Sequence, residues 1–211
     1  TNGASLQLVD ASQDNCRVAN WAAINVAPSN PPPSQLALMG YSQVWRYQQT
    51  TNFDGVNWMA SAYNHASWPA GPGLLAFEDN GSITPLVGTA LNDPRIGTSL
   101  VKPGHAYYLR TTLALTNSPA GYQFTVGARV DDGAVFYVNG IEVQRLRMPS
   151  GAITNLTLAT VQPTGTDATT DDVFTIAPSA FALGTNVIAV EVHQYATNSS
   201  DIVFGMQLTA V

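Results

Sequence analysis

Short apolar runs separated by turn-forming clusters fill most of the sequence and predict an all-β fold. After residue 34, alternating apolar and polar positions are interrupted by stretches that contain Gly, Pro and Asn. Regular punctuation of this kind is typical of an antiparallel β-sandwich or barrel. The predicted strands cover residues 43–49, 74–77, 106–115, 122–131, 134–138, 141–147, 156–160, 172–176, 186–195 and 202–211.

The strongest local signal is a β-hairpin centred on Asn139 and Gly140. Strand-like runs lie on both sides of this pair, and Asn-Gly is a favoured sequence for a two-residue type I′ turn. Elsewhere we expect almost no helix, apart from one short turn near residues 178–183. Lys and Glu, which form helices well, are scarce in the chain.

Alternation in two strands predicts which side chains enter the core. The residues expected to point inward are Val126, Ala128, Val130, Ile188, Val190 and Val192. Arg129, Glu191 and His193 fall on the opposite, outward faces. If these two strands were neighbours, Arg129 and Glu191 could pair across the sheet. For Glu191 and His193, a structural salt bridge or hydrogen bond is the favoured interpretation over acid–base or metal chemistry.

A proline-rich stretch suggests how the chain is divided. Residues 27–34 read APSNPPPS, and consecutive prolines favour an extended polyproline geometry that cannot join a central strand. We therefore expect an N-terminal extended arm and linker over residues 1–34, followed by one β-sandwich over residues 35–211. The arm itself holds strand-like runs at residues 4–9 and 17–26.

Composition excludes several classes of protein. Only 10% of the 211 residues are charged and the formal net charge is −6, whereas a nucleic-acid-binding protein needs a basic surface. The single Cys16 rules out an internal disulfide or a Cys-x-x-Cys metal site. No run of 18 apolar residues predicts a transmembrane helix. We expect a mature or excised part of a longer secreted protein, because the chain lacks an initial Met and is poor in Lys.

Two segments resemble the galactose-binding-like jelly-roll domains. Residues 130–140, VDDGAVFYVNG, resemble the family's hairpin, and residues 183–193, LGTNVIAVEVH, resemble one of its later strands. Trp58 and residues 68–74, WPAGPGL, are similar to its loop pattern. This resemblance covers residues 35–211 and implies an antiparallel β-sandwich. In the arm, residues 3–9 with Asn20 and Trp21 resemble the end of a lamin-tail-type domain.

The resemblance also implies a function, since these domains are accessory modules of bacterial glycoside hydrolases and other secreted enzymes. We expect a non-catalytic carbohydrate-binding module that tethers its parent enzyme to a polysaccharide or oligosaccharide. The net charge of −6 and the polar but uncharged composition favour a neutral glycan over an anionic one. The alternative is a structural or adhesion module of a bacterial surface protein, stabilised by calcium and without its own sugar site. Catalysis is left open but lacks support, because there is no Gly-x-Ser-x-Gly motif and no evident carboxylate pair.

Adjacent carboxylates make Asp131 and Asp132 the candidate metal ligands. Calcium takes six to eight oxygen ligands, and in the similar PA14-type lectins an Asp-Asp pair holds Ca²⁺. Further oxygens could come from Asn139 or Asp201. The alternative is that Asp131 and Asp132 only shape a turn by accepting backbone hydrogen bonds.

An aromatic-rich segment supplies the candidate sugar-binding residues. Sugar rings stack on aromatic faces, while amides and imidazoles bond the hydroxyl groups. Tyr63 is the first choice for stacking, because polar residues follow it directly. The alternative is that the rings anchor the core or a loop. The candidate ligand-binding residues are Trp45, Tyr47, Tyr63, Asn64, His65 and Trp68.

Overall fold

The structure is a computed structural model that describes residues 5–9, 12, 16, 21–24, 35–94, 106–163 and 167–211. Its internal contacts divide the chain into two units, Thr1–Ser34 and Gln35–Val211. In the first unit, β1 (Ser5–Leu8) pairs antiparallel with β2 (Trp21–Ile24).

The second unit is built from strands. They are β3 (Leu36–Met39), β4 (Val44–Gln48), β5 (Ala70–Pro72), β6 (Leu75–Phe77), β7 (Thr89–Ala90), β8 (Tyr107–Leu115), β9 (Phe124–Asp131), β10 (Gly133–Val138), β11 (Ile141–Leu146), β12 (Asp172–Ile176), β13 (Gly184–His193) and β14 (Ile202–Ala210). Helix in the described residues is limited to short 3₁₀ turns at Thr84–Leu86, Asp167–Thr169 and Pro178–Ala180. Within those same residues, no helix has the length and apolarity needed to cross a membrane.

Two six-stranded sheets form an antiparallel sandwich, as the sequence predicted. Sheet I has the order β11-β10-β13-β8-β4-β5, and sheet II has the order β12-β9-β14-β6-β7 with β3 also paired to β14. Neighbouring strands run antiparallel except for the short parallel pair β6–β7. The predicted helical turn is confirmed at Pro178–Ala180.

The predicted core residues lie between the two sheets. All six inward-pointing side chains of β9 and β13 are buried in one cluster with residues from both sheets. Trp45 lies in this cluster with none of its surface exposed, and its ring meets Phe204 edge-on at 4.9 Å between centroids. Period-two alternation was therefore sufficient to identify the core faces of these strands.

Two sequence predictions about strands are wrong. β9 and β13 belong to different sheets, so Arg129 does not pair with Glu191 and instead bonds Asp171 at 3.1 Å. Residues 156–160 do not form a strand. They are held by isolated backbone bonds, from Ala159 N–H to the Gln194 carbonyl and from Thr160 N–H to the Arg147 carbonyl, rather than by a continuous ladder.

The hairpin between β10 and β11 has the predicted turn. Asn139 and Gly140 have φ angles of 52° and 86°, as a type I′ turn requires. The Asn139 side chain also joins the turn to β13, because its Oδ1 accepts a hydrogen bond from Val187 N–H at 2.9 Å and its Nδ2 donates to Asn186 Oδ1 at 2.8 Å.

We expect Gly140→Val to lower the free energy of unfolding by about 1–3 kcal/mol. A β-branched residue is strained at this positive φ, and its Cβ would lie 3.3 Å from the Ala60 Cα. Thermal denaturation measures the effect. Gly81→Val is the matched control. A Cβ at Gly81 would have no neighbour within 4 Å, and the residue does not have a positive φ. Equal midpoints for the two variants would contradict the assignment of strain to this turn.

Candidate functional site

A covering loop, residues 49–69, packs on the outer face of sheet I. Side chains from β8, β10 and β13 that point away from the main core meet the aromatic rings of this loop, forming a second buried cluster. For example, the Trp58 ring meets Tyr108 edge-on at 4.9 Å between centroids. The cluster consists of Phe53, Trp58, Trp68, Ala106, Tyr108, Val135, Tyr137 and Ala189.

Arg110 of β8 anchors the covering loop to the outer face of sheet I. Its guanidinium is fully buried and donates to the carbonyls of Trp58 and Ala60 and, at 2.8 Å, to His65 Nδ1. It also lies 5.4 Å from the centroid of the Tyr63 ring. Burial lowers the pKa of Arg110. Burial and then the charges of Arg110 and Arg46 lower the pKa of His65, which suits a neutral acceptor.

The structure does not assemble the predicted aromatic residues into a sugar platform. Trp45 and Trp68 are 0% and 4% exposed, so the prediction that they present a ring face to a ligand is wrong. Tyr47 is half-buried against the main core. These rings are buried because large aromatic surfaces contribute most to stability when they leave water.

The three consecutive candidates of the covering loop have structural contacts of their own. Tyr63 is half-buried and meets the Phe53 and Trp68 rings edge-on. Asn64 is exposed, and its Oδ1 accepts a bond from the Ala66 N–H at 2.9 Å. His65 holds Arg110. Their packing makes them anchors of the loop.

A pocket of about 270 Å³ opens on the same outer face of sheet I. We call it the outer-face pocket. Its floor is formed by Tyr108, Tyr137 and Glu191 from β8, β10 and β13. The pocket is also lined by residues 53–56, 58 and 59 of the covering loop, by residues 151–154, and by Glu142 and Arg145 of β11. The sequence placed Glu191 away from the core, but it gave no sign that two distant loops would enclose it.

Hydrogen bonds orient the polar groups of the pocket floor. Glu191 is 5% exposed, and its Oε1 accepts a bond from the Tyr137 hydroxyl at 2.6 Å. Its Oε2 lies 3.5 Å from His193 Nε2, while His193 Nδ1 is 2.8 Å from the Thr157 carbonyl. Burial, followed by the Glu191 charge, raises the pKa of both Tyr137 and Tyr108. Both hydroxyls therefore stay protonated at neutral pH.

Four acidic residues meet at one end of sheet II and form what we call the carboxylate cluster. Glu78, Asp131 and Asp201 each offer an oxygen within 4.8 Å of the others. The register explains the meeting, because β14 pairs with both β6 and β9 at its start. Asp132 is 1% exposed. Its Oδ2 accepts a bond from Tyr195 N–H at 2.6 Å, and its buried Oδ1 has no hydrogen-bond partner in the part of the chain that the structure describes.

Crowding changes the proton affinity of the carboxylate cluster. Burial, the neighbouring Asp132, and then Asp201 and Glu78 raise the pKa of Asp131 to about 9. Burial and the charges of Glu78 and Asp132 raise the pKa of Asp201. An oxygen-rich group of this kind fits a divalent cation such as Ca²⁺.

The sequence identified part of the carboxylate cluster. It predicted Asp131 and Asp132 as metal ligands and named Asp201 and Asn139 as further donors. Asp201 does lie beside Asp131, but the Asn139 side chain bonds Asn186 and Val187 in the hairpin region. Glu78 was missed, because nothing in its local sequence shows that β6 ends beside the start of β14.

Comparison with known proteins supports the fold. No family model and no curated protein matches the chain. A β-glucuronidase from Bacteroides uniformis aligns with a TM-score of 0.53 and 13% identity, over 84% of this chain and 18% of that chain. A glycoside hydrolase family 2 member from Bacteroides cellulosilyticus DSM 14838 aligns with a TM-score of 0.50 and 14% identity, over 84% and 20% of the two chains. This chain spans about a fifth of their length, and the likeness establishes a β-sandwich fold.

Proposed function

We propose that this chain is a non-catalytic accessory module that binds carbohydrate in the outer-face pocket, as one domain of a larger secreted bacterial protein. The observation that carries the proposal is the pocket floor, where Tyr108 and Tyr137 flank the buried Glu191. Ligand pockets commonly combine aromatic walls with a few fixed polar groups. The similar sandwiches that belong to a β-glucuronidase and to a glycoside hydrolase agree with an accessory role, although a fold alone assigns no function.

The acidic groups of the pocket suit binding better than catalysis. Glu142 is held by both Nε and Nη2 of Arg145, and Asp54 accepts the backbone N–H of Asn155 at 2.7 Å. Glycoside hydrolysis needs a pair of carboxyl groups placed on either side of the scissile bond. Groups already held by neighbours are better placed to orient sugar hydroxyls than to act as a nucleophile or proton donor.

Ala152→Trp tests the location of the site. Ala152 is exposed and lines the pocket, so an indole there should block the entrance without disturbing the core. We expect affinity for the bound glycan to fall by roughly tenfold or more, measured by affinity electrophoresis and calorimetry on a panel of polysaccharides and oligosaccharides. Ala120→Trp, at another exposed position, is the matched control and should bind normally.

Two outcomes would count against this proposal. Unchanged binding by Ala152→Trp would move the site away from the pocket. An unaltered protein that binds no glycan in the panel would remove the carbohydrate-binding function itself.

The carboxylate cluster favours a second candidate function, a calcium-stabilised structural or adhesion module. Glu78, Asp131 and Asp201 would hold the ion, with Asp132 beside them, and the ion would supply charge compensation for the crowded carboxylates. Among the described residues the buried Asp132 Oδ1 has no hydrogen-bond partner, which agrees with a nearby cation. Stabilisation by Ca²⁺ together with an absence of glycan binding would favour this second function over the first.

A further inference from the structure

We infer that the outer-face pocket selects a sugar with a protonated amino group over neutral and acidic sugars. This inference rests on the proposed function and names the ligand class of the same site. It replaces the expectation of a neutral polysaccharide, which was based on the composition of the whole chain. The reason lies in the charges that the tertiary structure gathers around the pocket.

The charges that line the pocket are predominantly negative. Among the described residues that line it, the acidic and basic side chains are three carboxyl groups, Asp54, Glu142 and Glu191, and one guanidinium, Arg145. Arg145 is already occupied, since it donates to both oxygens of Glu142 and to the Pro149 carbonyl. Among the described residues, no Lys or Arg side chain is hydrogen-bonded to Asp54 or Glu191, which bond the Asn155 N–H and the Tyr137 hydroxyl. A uronate or sulfate would meet repulsion there, and no cation among the described lining residues is available to compensate for it.

Glu191 is the group that would recognise the amine. It is 5% exposed, so it has lost most of its hydration, and a buried charge needs hydrogen bonds or a counter-charge to compensate for that loss. The Tyr137 hydroxyl supplies one short bond to Oε1. Near Oε2, His193 Nε2 lies 3.5 Å away and has no hydrogen-bond partner among the described residues. An ammonium group, with three N–H donors and a positive charge, would meet this remaining need.

The aromatic walls of the pocket favour the same ligand. Phe53, Trp58, Tyr108 and Tyr137 all contribute to the lining beside Glu191. These rings are only 1–8% exposed and pack against one another, so they offer no stacking platform for a sugar ring. Their apolar surroundings lower the effective dielectric around Glu191, which strengthens its attraction for a cation. The lining therefore favours a ligand that carries a positive charge over a neutral one.

A matched set of oligosaccharides tests the inference on the unaltered protein. Calorimetry would compare a β-1,4-linked glucosamine oligomer, its N-acetylated form and a cello-oligomer of the same length, in mildly acidic buffer. We expect the glucosamine oligomer to bind about tenfold or more tightly than either neutral oligomer. Acetylation removes the charge while keeping the sugar backbone, so the comparison isolates the ammonium group.

Variants separate the pocket from general attraction to an acidic protein. Glu191→Gln should bring the three affinities to within about twofold of one another. Asp79→Asn makes the same change in net charge at an exposed position that does not line the pocket, and it should keep the preference. Ala152→Trp leaves the net charge unchanged and should abolish the preference by blocking the entrance.

The outcomes distinguish this inference from the function on which it rests. Equal binding of amino and neutral oligomers by the unaltered protein would overturn the amino-sugar inference and leave the carbohydrate-binding proposal standing. No binding of any oligomer would overturn both. If Ala152→Trp keeps the preference for the glucosamine oligomer, that preference comes from the general surface charge, and the inference is overturned. If Glu191→Gln fails to fold, Ala152→Trp and the comparison of oligomers still decide the question.

Discussion

Arg110→Met is expected to lower the free energy of unfolding by about 3–5 kcal/mol. The methionine keeps much of the aliphatic packing but leaves the Trp58 carbonyl and the Nδ1 of His65 without the Arg110 donor, while the Ala60 carbonyl keeps its bond from the Tyr63 N–H. Each unsatisfied buried acceptor costs about 1–3 kcal/mol. The covering loop should then lose its attachment to sheet I, and the outer-face pocket should lose a wall.

Urea denaturation measures this loss, and tryptophan fluorescence reports whether Trp58 and Trp68 become exposed. Arg110→Lys should recover little of the stability, because an ammonium group lacks the planar fork that reaches three acceptors. Arg129→Met is the control on the other sheet; its ion pair with Asp171 is partly exposed, so the expected loss is about 1 kcal/mol or less. Similar losses for Arg110→Met and Arg129→Met would show that Arg110 does not hold the loop.

Asp131→Asn is expected to stabilise the protein in EDTA at alkaline pH by about 2–4 kcal/mol and to remove its response to Ca²⁺. The carboxyl of Asp131 has a pKa of about 9 in the folded protein, against an ordinary value of 3.8. Between those values the folded state holds a proton that the unfolded state releases. Stability therefore falls as pH rises through this window, and asparagine, which does not titrate, avoids the loss.

Thermal denaturation across pH, with EDTA or with Ca²⁺, provides the measurement. Ca²⁺ at about 100 times its dissociation constant should stabilise the unaltered protein by about 2.7 kcal/mol. At a fixed Ca²⁺ concentration the stabilisation should grow with pH, because the carboxylates lose their protons and bind the ion more tightly. Asp171→Asn is the control, and its expected effect on stability is the opposite of that of Asp131→Asn. Burial raises the pKa of Asp171, but Tyr41, Arg129 and Gln207 together lower it, so that variant should lose stability above acidic pH. If the stability of the unaltered protein in EDTA does not change with pH, the raised pKa of Asp131 in the crowded cluster is contradicted.

Local sequence was sufficient where the determining interactions are themselves local. Alternation assigned Val126 and Val190 to the core, because successive side chains of any strand point to opposite faces. Asn139 and Gly140 specified their turn, because few residue types tolerate two consecutive positive φ angles. The adjacent pair Asp131 and Asp132 likewise marked one part of the carboxylate cluster.

The sequence by itself thus determined the β-sandwich class, the faces of its long strands and the hairpin, each of which depends on residues a few positions apart. Only the tertiary structure decided that Trp68 is buried, that Arg110 holds the covering loop and that Glu191 is the floor of a pocket. These outcomes depend on contacts between residues far apart in the chain, such as Arg110 with His65 and Tyr137 with Glu191. The physical reason is that a local pattern shows which face of a strand is apolar, whereas the order of the strands and the path of the loops decide what covers the other face.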